Sequence, residues 1–397
     1  MSSARFLAEL FLHPERLDTS RHLEFWPALK LIAENASPTE EDEVEYRKAV
    51  DFGMLALNST RPVGLEGVMR YARWLKLSAE GPKVDAQGLP DVFKLLSDHL
   101  DPMIDNSVAV REMFGMQFGL LTWLDHDWWK QQLPALFPNG GKQRHLDRFA
   151  WNSYLRFSPP FVEMLPAMRF RYERAINALQ SNASDVGDEQ RNLGRHLMQY
   201  YQAGSIDLDD TLLEAFFVKA SPALRARTIG DVGWNLGQGG SSELDPSVQK
   251  RLMNLWEYRL ACGVKNVNAS RHELASFGWW FDSKKFPEDW SIQNLLTVVE
   301  RFRNINPDFA VVKRLAELSD SHPYAAIRAL GIIFEEDRNG WAIHGWADSP
   351  QIIVSKALTA DEHSRAEAER VVNLLVARGH RGFRDTLKQK GKLADKG

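Results

Sequence analysis

Few groups of side chains in this sequence combine the types and spacing that chemistry needs. Asn139-Gly140-Gly141-Lys142-Gln143 sets glycines before a lysine. It lacks the leading glycine of a phosphate-binding loop and the Ser/Thr that would meet magnesium, so it reads as a helix–helix turn. The 11 histidines are scattered, with no His-Glu-x-x-His and no Cys-x-x-Cys. Converging metal ligands are therefore not expected. Asp125-His126-Asp127 is the densest cluster and reads as a helix cap. Cys262 is the sole cysteine, and its helical surroundings from Trp256 to Gly263 suit a small packed side chain better than a nucleophile. Glu335-Glu336-Asp337 resembles a catalytic carboxylate pair only in composition and reads as a solvated helix end. No catalytic residue, cofactor or metal site is expected.

Binding chemistry is better represented. The chain holds 13 tryptophans, several near expected helix ends. Trp fills cores and also anchors interfaces, so Trp128, Trp129, Trp279 and Trp280 are candidate partner contacts or wedges between helices. Near the end, Arg378-Gly379-His380-Arg381-Gly382-Phe383-Arg384 joins arginines to an aromatic. Arg381, Phe383 and Arg384 are candidates for contacting a partner's acidic face or a phosphate, or for capping the last helix.

The elements that would carry these residues are helices. Ile229, Val232, Gly233 and Leu236 follow the order apolar, two residues, apolar, Gly, two residues, apolar. Leu274, Phe277, Gly278 and Phe281 repeat it, and Ile327, Leu330, Gly331 and Phe334 repeat it again. The apolar positions form one helical stripe. A glycine inside a helix costs roughly 1 kcal/mol against alanine, so three at one register predict close approach of a neighbouring helix. Ser221-Pro222 supplies an N-cap and a first-position proline for the first copy. A ribbon of Ala223, Ala226, Gly230, Gly233 and Gly237 runs beside its stripe, with Thr228, Asp231 and Asn235 on the polar face. Further helices are expected at 189–203, 207–220, Val248–Cys262, Trp290–Arg303, Pro307–Leu318, Ile352–Leu358 and Asp361–Ala377. No long alternating strand pattern appears, so the expected class is all-α: an α-solenoid of HEAT-like or TPR-like helical pairs. It is expected to run as one array over residues 1–397, with sub-boundaries near 182–188 and 238–246.

Composition narrows the function classes. A net charge of −4 counts against a protein built to coat nucleic acid. A single cysteine fits a reducing, cytoplasmic setting. No run of about 18 apolar residues predicts a membrane span, and the apolar start is too short for a secretory signal.

Several segments resemble the C-terminal helical-repeat region of bacterial anti-phage proteins, chiefly the antiviral STAND NTPases and related sirtuin-linked defence proteins. They are Ser107–Arg111 leading into Trp123-Leu124-Asp125 and Trp128, and Phe149–Leu155. Later come Arg225-Ala226-Arg227 with Ile229-Gly230 and Gly233-Trp234, Leu255–Arg259, Phe277–Phe281 and Arg378-Gly379. Together they span most of residues 105–385. The resemblance implies a non-catalytic sensor that clasps a phage protein, with NTPase and effector modules of the same system as further partners; neither module is legible in these residues. The alternatives from other classes are a HEAT-like nucleic-acid binder or DNA glycosylase, which needs a basic groove where an Asp and aromatics converge, and a scaffold for a host protein.

Overall fold

In the computed structural model, residues 2–12, 17–46, 53–78, 83–138, 140, 144–240 and 243–383 are described. Among them every regular element is a helix, and none is long and apolar enough to cross a membrane. The chain is all-α, as the 3.6-residue periodicity requires. It divides into two compact units, Met1–Ala175 and Ile176–Gly397.

The first unit begins with α1 (Ser2–Leu10), α2 (His22–Ala33), α3 (Glu40–Tyr46), α4 (Met54–Asn58), α5 (Thr60–Leu77) and α6 (Pro90–Leu100). It continues with α7 (Val108–Met116), α8 (Phe118–Leu124), α9 (His126–Leu136), α10 (Arg144–Phe157) and α11 (Leu165–Asn177), inside which the division falls. Helix α5 is apolar on most of its circumference, with Val63, Leu65, Val68, Met69, Tyr71, Trp74 and Leu75 all buried. A helix of that kind must be covered on several sides, and α1, α2, α7 and α8 cover it. Helix α7 packs most extensively on α10, where Gly115 admits the Ala150 carbonyl. Two buried acids anchor α7, Glu43 at its entry and Glu112 from within it. Glu43 accepts the Ser107 hydroxyl and the Val108 N–H (3.0 Å), and Glu112 accepts the Gly53 N–H (3.0 Å) and the Tyr46 hydroxyl (3.1 Å).

The second unit holds α12 (Asp188–Gln202), α13 (Thr211–Lys219), α14 (Pro222–Gln238), α15 (Pro246–Val264), α16 (Val267–Ala275) and α17 (Gly278–Asp282). After these come α18 (Glu288–Phe302), α19 (Asp308–Leu318), α20 (Pro323–Glu336), α21 (Ser349–Thr359) and α22 (Glu362–Ala377). Packing skips along the chain. Helix α12 meets α14, α14 meets α16 and α17, α17 meets α19, and α19 meets α21. From α16 the packing also runs on to α18, α18 meets α20, and α20 meets α22.

The glycine pattern sits on this scheme with one difference from the expectation. The copies in α14, α16–α17 and α20 lie along one series, since α14 meets α16, α16 meets α18 and α18 meets α20. The second copy is not one continuous helix, because Ser276 and Phe277 separate α16 from α17. The break frees the Ala275 carbonyl to accept the Asn306 N–H at 2.9 Å. Close approach does hold at the glycines. A Cβ on Gly233 would stand 2.7 Å from Trp279 Cβ, and one on Gly278 would stand 2.6 Å from the Asn306 carbonyl oxygen.

Candidate functional site

The structure distributes the predicted contact residues unevenly between core and surface. Trp129 and Trp280 are fully buried, and Trp128 is 8% exposed. Trp128 donates its indole N–H to Ser97 Oγ (3.1 Å), and Trp280 donates to the Ile229 carbonyl (2.8 Å). These three act as wedges within the folded chain. Phe383 is 5% exposed and also packs inward, whereas Arg381 is exposed. Arg384 lies outside the described residues, as does the basic stretch after it. Arg378 bonds the carbonyls of Phe334 (2.7 Å) and Asp337 (3.0 Å), so it caps α20 rather than the last helix. Trp279 is half-buried.

Trp279 leads to the site that the sequence reading missed. Its ring meets that of Trp234 edge to face, with centroids 5.0 Å apart, and Trp234 is 49% exposed. Trp234 stands between two depressions of the second unit. One, of about 390 Å³, is bounded by α14 and α17 with Arg227, Gly230 and Ser276 on its walls. The other, of about 560 Å³, lies between α12 and α14. Arg191, Asp231 and Trp234 line both, so the two form one groove. A third depression adjoins the second at Leu244 and Lys285, but Glu243, Asp282 and Glu317 line it beside Lys284 and Lys313, so the basic character ends there.

Helix geometry explains who faces the groove. On α14, Asp231, Trp234 and Asn235 follow the three- and four-residue spacing of one face. On α12, Arg191, Arg195, Gln199 and Gln202 do the same. Opposite them, Gly233 lets α17 close on the other side of α14 and bring Trp279 beneath Trp234. A tryptophan on an otherwise polar helix face was the signal available in the sequence.

The groove is basic. Arg191, Arg195, Arg227 and Lys285 line it against the single carboxylate of Asp231. Asp231 pairs with Arg191 (2.7 Å) and Arg227 (3.1 Å), which holds both guanidiniums at the rim. Burial, and after it the charge of Arg191, lowers the pKa of Arg195. An anion arriving there would relieve the repulsion.

Of the remaining sequence candidates, Asn139-Gly140-Gly141-Lys142-Gln143 lies outside the described residues apart from Gly140, and the others have structural partners. Asp125 caps α9 by accepting the Trp128 N–H (2.9 Å) and also accepts the Ala86 N–H (3.0 Å). Glu335 and Glu336 form an ion-pair network with Arg303, Arg370 and Arg271 instead of a solvated helix end. Cys262 is half-buried beside Tyr258, one turn earlier on α15. Among the described residues no three His, Cys, Asp or Glu side chains gather as metal ligands. No protein-family model, curated protein or solved structure matches this chain.

Proposed function

We propose that the chain is a solenoid-type recognition module that binds a protein partner through the second unit and has no catalysis of its own. The observation that carries this reading is the exposed Trp234, braced by Trp279 in a groove with three arginines and a lysine. A large indole held rigid by a neighbour loses little entropy on binding, and Trp and Arg are the residues that dominate protein interfaces. The skipping helix contacts of the second unit support the solenoid of HEAT-like or TPR-like pairs. The resemblance of residues 105–385 to anti-phage sensors supplies the partner: a phage protein, recognised in the cytoplasm. The NTPase and effector modules of such systems would act on its capture.

The test is affinity capture from phage-infected and uninfected bacteria, with the Trp234→Ala chain beside the parent. One phage protein retained near stoichiometry by the parent after infection, and lost by Trp234→Ala, is the expected result. A host protein retained equally from both lysates would make the chain a scaffold and sink the sensor reading.

A second reading draws on the same groove, since Asp231 with two tryptophans and arginines is the constellation a base-handling nucleic-acid protein needs. Against it, Asp231 is already engaged by two arginines. Salt-sensitive DNA binding, or release of a base from alkylated DNA that Asp231→Asn abolishes, would establish that reading instead.

A further inference from the structure

The occupant of the groove can be specified further from the side chains that line it, on the reading that this chain binds a protein. Besides its cations, the α12–α14 depression presents four amide side chains, Asn192, Gln199, Gln202 and Asn235. None of the four makes a side-chain hydrogen bond within the chain; Gln199 and Asn235 are exposed, Asn192 and Gln202 half-buried. Thr228 lines the same wall, is 3% exposed, and its hydroxyl lacks a partner. That hydroxyl is enclosed against Gly194 of α12, so it is not counted among the groups that face a ligand.

Amide side chains each offer donors and an acceptor. A polypeptide backbone presents both donors and acceptors and is matched by such a wall. A phosphodiester backbone presents acceptors only, so it would leave the carbonyl oxygen of each amide unmet. The cations add a requirement for negative charge on the ligand. Continuity of the first two depressions, from the Arg227 end past Trp234 to Lys285, asks for a ligand longer than a small molecule.

We infer that the groove along α12 and α14 takes an extended acidic segment of the protein partner. In this arrangement Asn192, Gln199, Gln202 and Asn235 pair with its backbone. Arg191, Arg195 and Lys285 meet its carboxylates, and Trp234 covers an apolar or aromatic side chain. The partner's fold elsewhere is not constrained by this groove.

Fluorescence anisotropy on the full chain tests the inference, with a fluorescein-labelled peptide of alternating Glu and Ala as the probe. Its Lys/Ala counterpart, its backbone-N-methylated form and a single-stranded oligo-dT serve as comparisons. The acidic peptide is expected to bind saturably and to weaken with salt. Loss of one paired amide in Gln199→Ala or Asn235→Ala is expected to weaken binding by about threefold to tenfold, the worth of a hydrogen bond. Arg195→Ala is expected to cost about tenfold or more, and backbone methylation to weaken binding in the parent chain. Thermal melts of each variant separate lost binding from lost folding, and exposed Gln199 and Asn235 are the positions least able to disturb the fold. Three results would each overturn the inference: no saturation up to millimolar peptide, an affinity unmoved by all three substitutions, or tighter binding of oligo-dT lost in the same variants. The capture experiment keeps this apart from the broader reading. A phage protein retained equally by parent and Gln199→Ala chains, with no acidic-peptide binding, would remove the groove's ligand and leave recognition standing.

Discussion

Glu273 is the residue on which the second unit most depends. It is fully buried in α16 and accepts from two arginines, Arg225 Nε on α14 (2.7 Å) and Arg259 Nη2 on α15 (3.1 Å). Arg225 also bonds the carbonyls of Ala220 (2.8 Å) and Ala269 (3.0 Å), and Arg259 lies over the Phe217 ring at 4.1 Å. One carboxylate thus joins four helices. Removing one member of a buried ion pair leaves an uncompensated charge, at a cost of about 3–5 kcal/mol. Glu273→Ala is expected to lower stability by that amount in urea unfolding; a loss below about 1 kcal/mol would show that water reaches the site. Glu112 in the first unit behaves differently, because among the described residues no cation faces it. Its neighbours are Tyr46, the Gly53 and Ala56 backbone and the second acid, Glu43. Burial, against the hydrogen bonds, pushes its pKa up from the ordinary 4.5 to about 8. A raised carboxyl binds its proton more tightly folded than unfolded. Its contribution is therefore complete below pH 4.5 and is lost as pH rises through about 8. Glu112→Gln keeps an acceptor for Gly53 and removes the proton. The parent's stability is expected to fall between pH 6 and 9 more steeply than the variant's, and parallel curves would refute the assignment.

The helices show which sequence signals are legible and which are not. Periodicity and caps locate most of the second unit's elements, because apolar stripes and a Ser-Pro start are local features of the chain. The break between α16 and α17 was not legible, since it depends on Asn306 arriving from a distant loop to bond Ala275. The groove is half legible: their spacing puts Asp231 and Asn235 on the polar face of α14, but the arginines of α12 reach it only through tertiary packing. The small-residue ribbon of α14 illustrates the limit. From sequence, Gly233 stands out as the glycine of the repeat, but Gly230 and Gly237 share its small-residue ribbon and could be covered equally. In the structure only Gly233 is tightly covered, since a Cβ on Gly230 would make ordinary contacts at 3.7 Å and one on Gly237 would meet nothing within 4 Å. Gly233→Ala must displace α17 and is expected to destabilise by about 1–3 kcal/mol. Gly237→Ala meets open space in a helical conformation and is expected to stabilise by about 0.5–1 kcal/mol. Paired thermal melts decide this, and equal shifts for the two would mean that α14 and α17 are not in close contact.

At the scale of the whole molecule, the division into Met1–Ala175 and Ile176–Gly397 gives the chain two hydrophobic cores, each with its own buried polar anchor. The first core is organised around α5 and the α7–α10 pair, with Glu112 as its anchor. The second is organised around the skipping helix series, with Glu273 as its anchor. Each unit is larger than many domains that fold alone, and a chain with two cores need not unfold in one cooperative step. The two anchors provide independent handles on the two steps. Calorimetry of the parent is expected to show two transitions or one asymmetric one. Glu273→Ala is expected to move only the component belonging to the second unit. Glu112→Ala leaves the Gly53 N–H and the Tyr46 hydroxyl without their buried acceptor, at about 1–3 kcal/mol for each group, and is expected to move only the other. Distant sites that share no partners act additively, so the double variant should reproduce the sum of the single shifts. A single transition displaced equally by either substitution would show instead that the chain is one cooperative array, and any partner that stabilised the groove of the second unit would then be felt as far as α5.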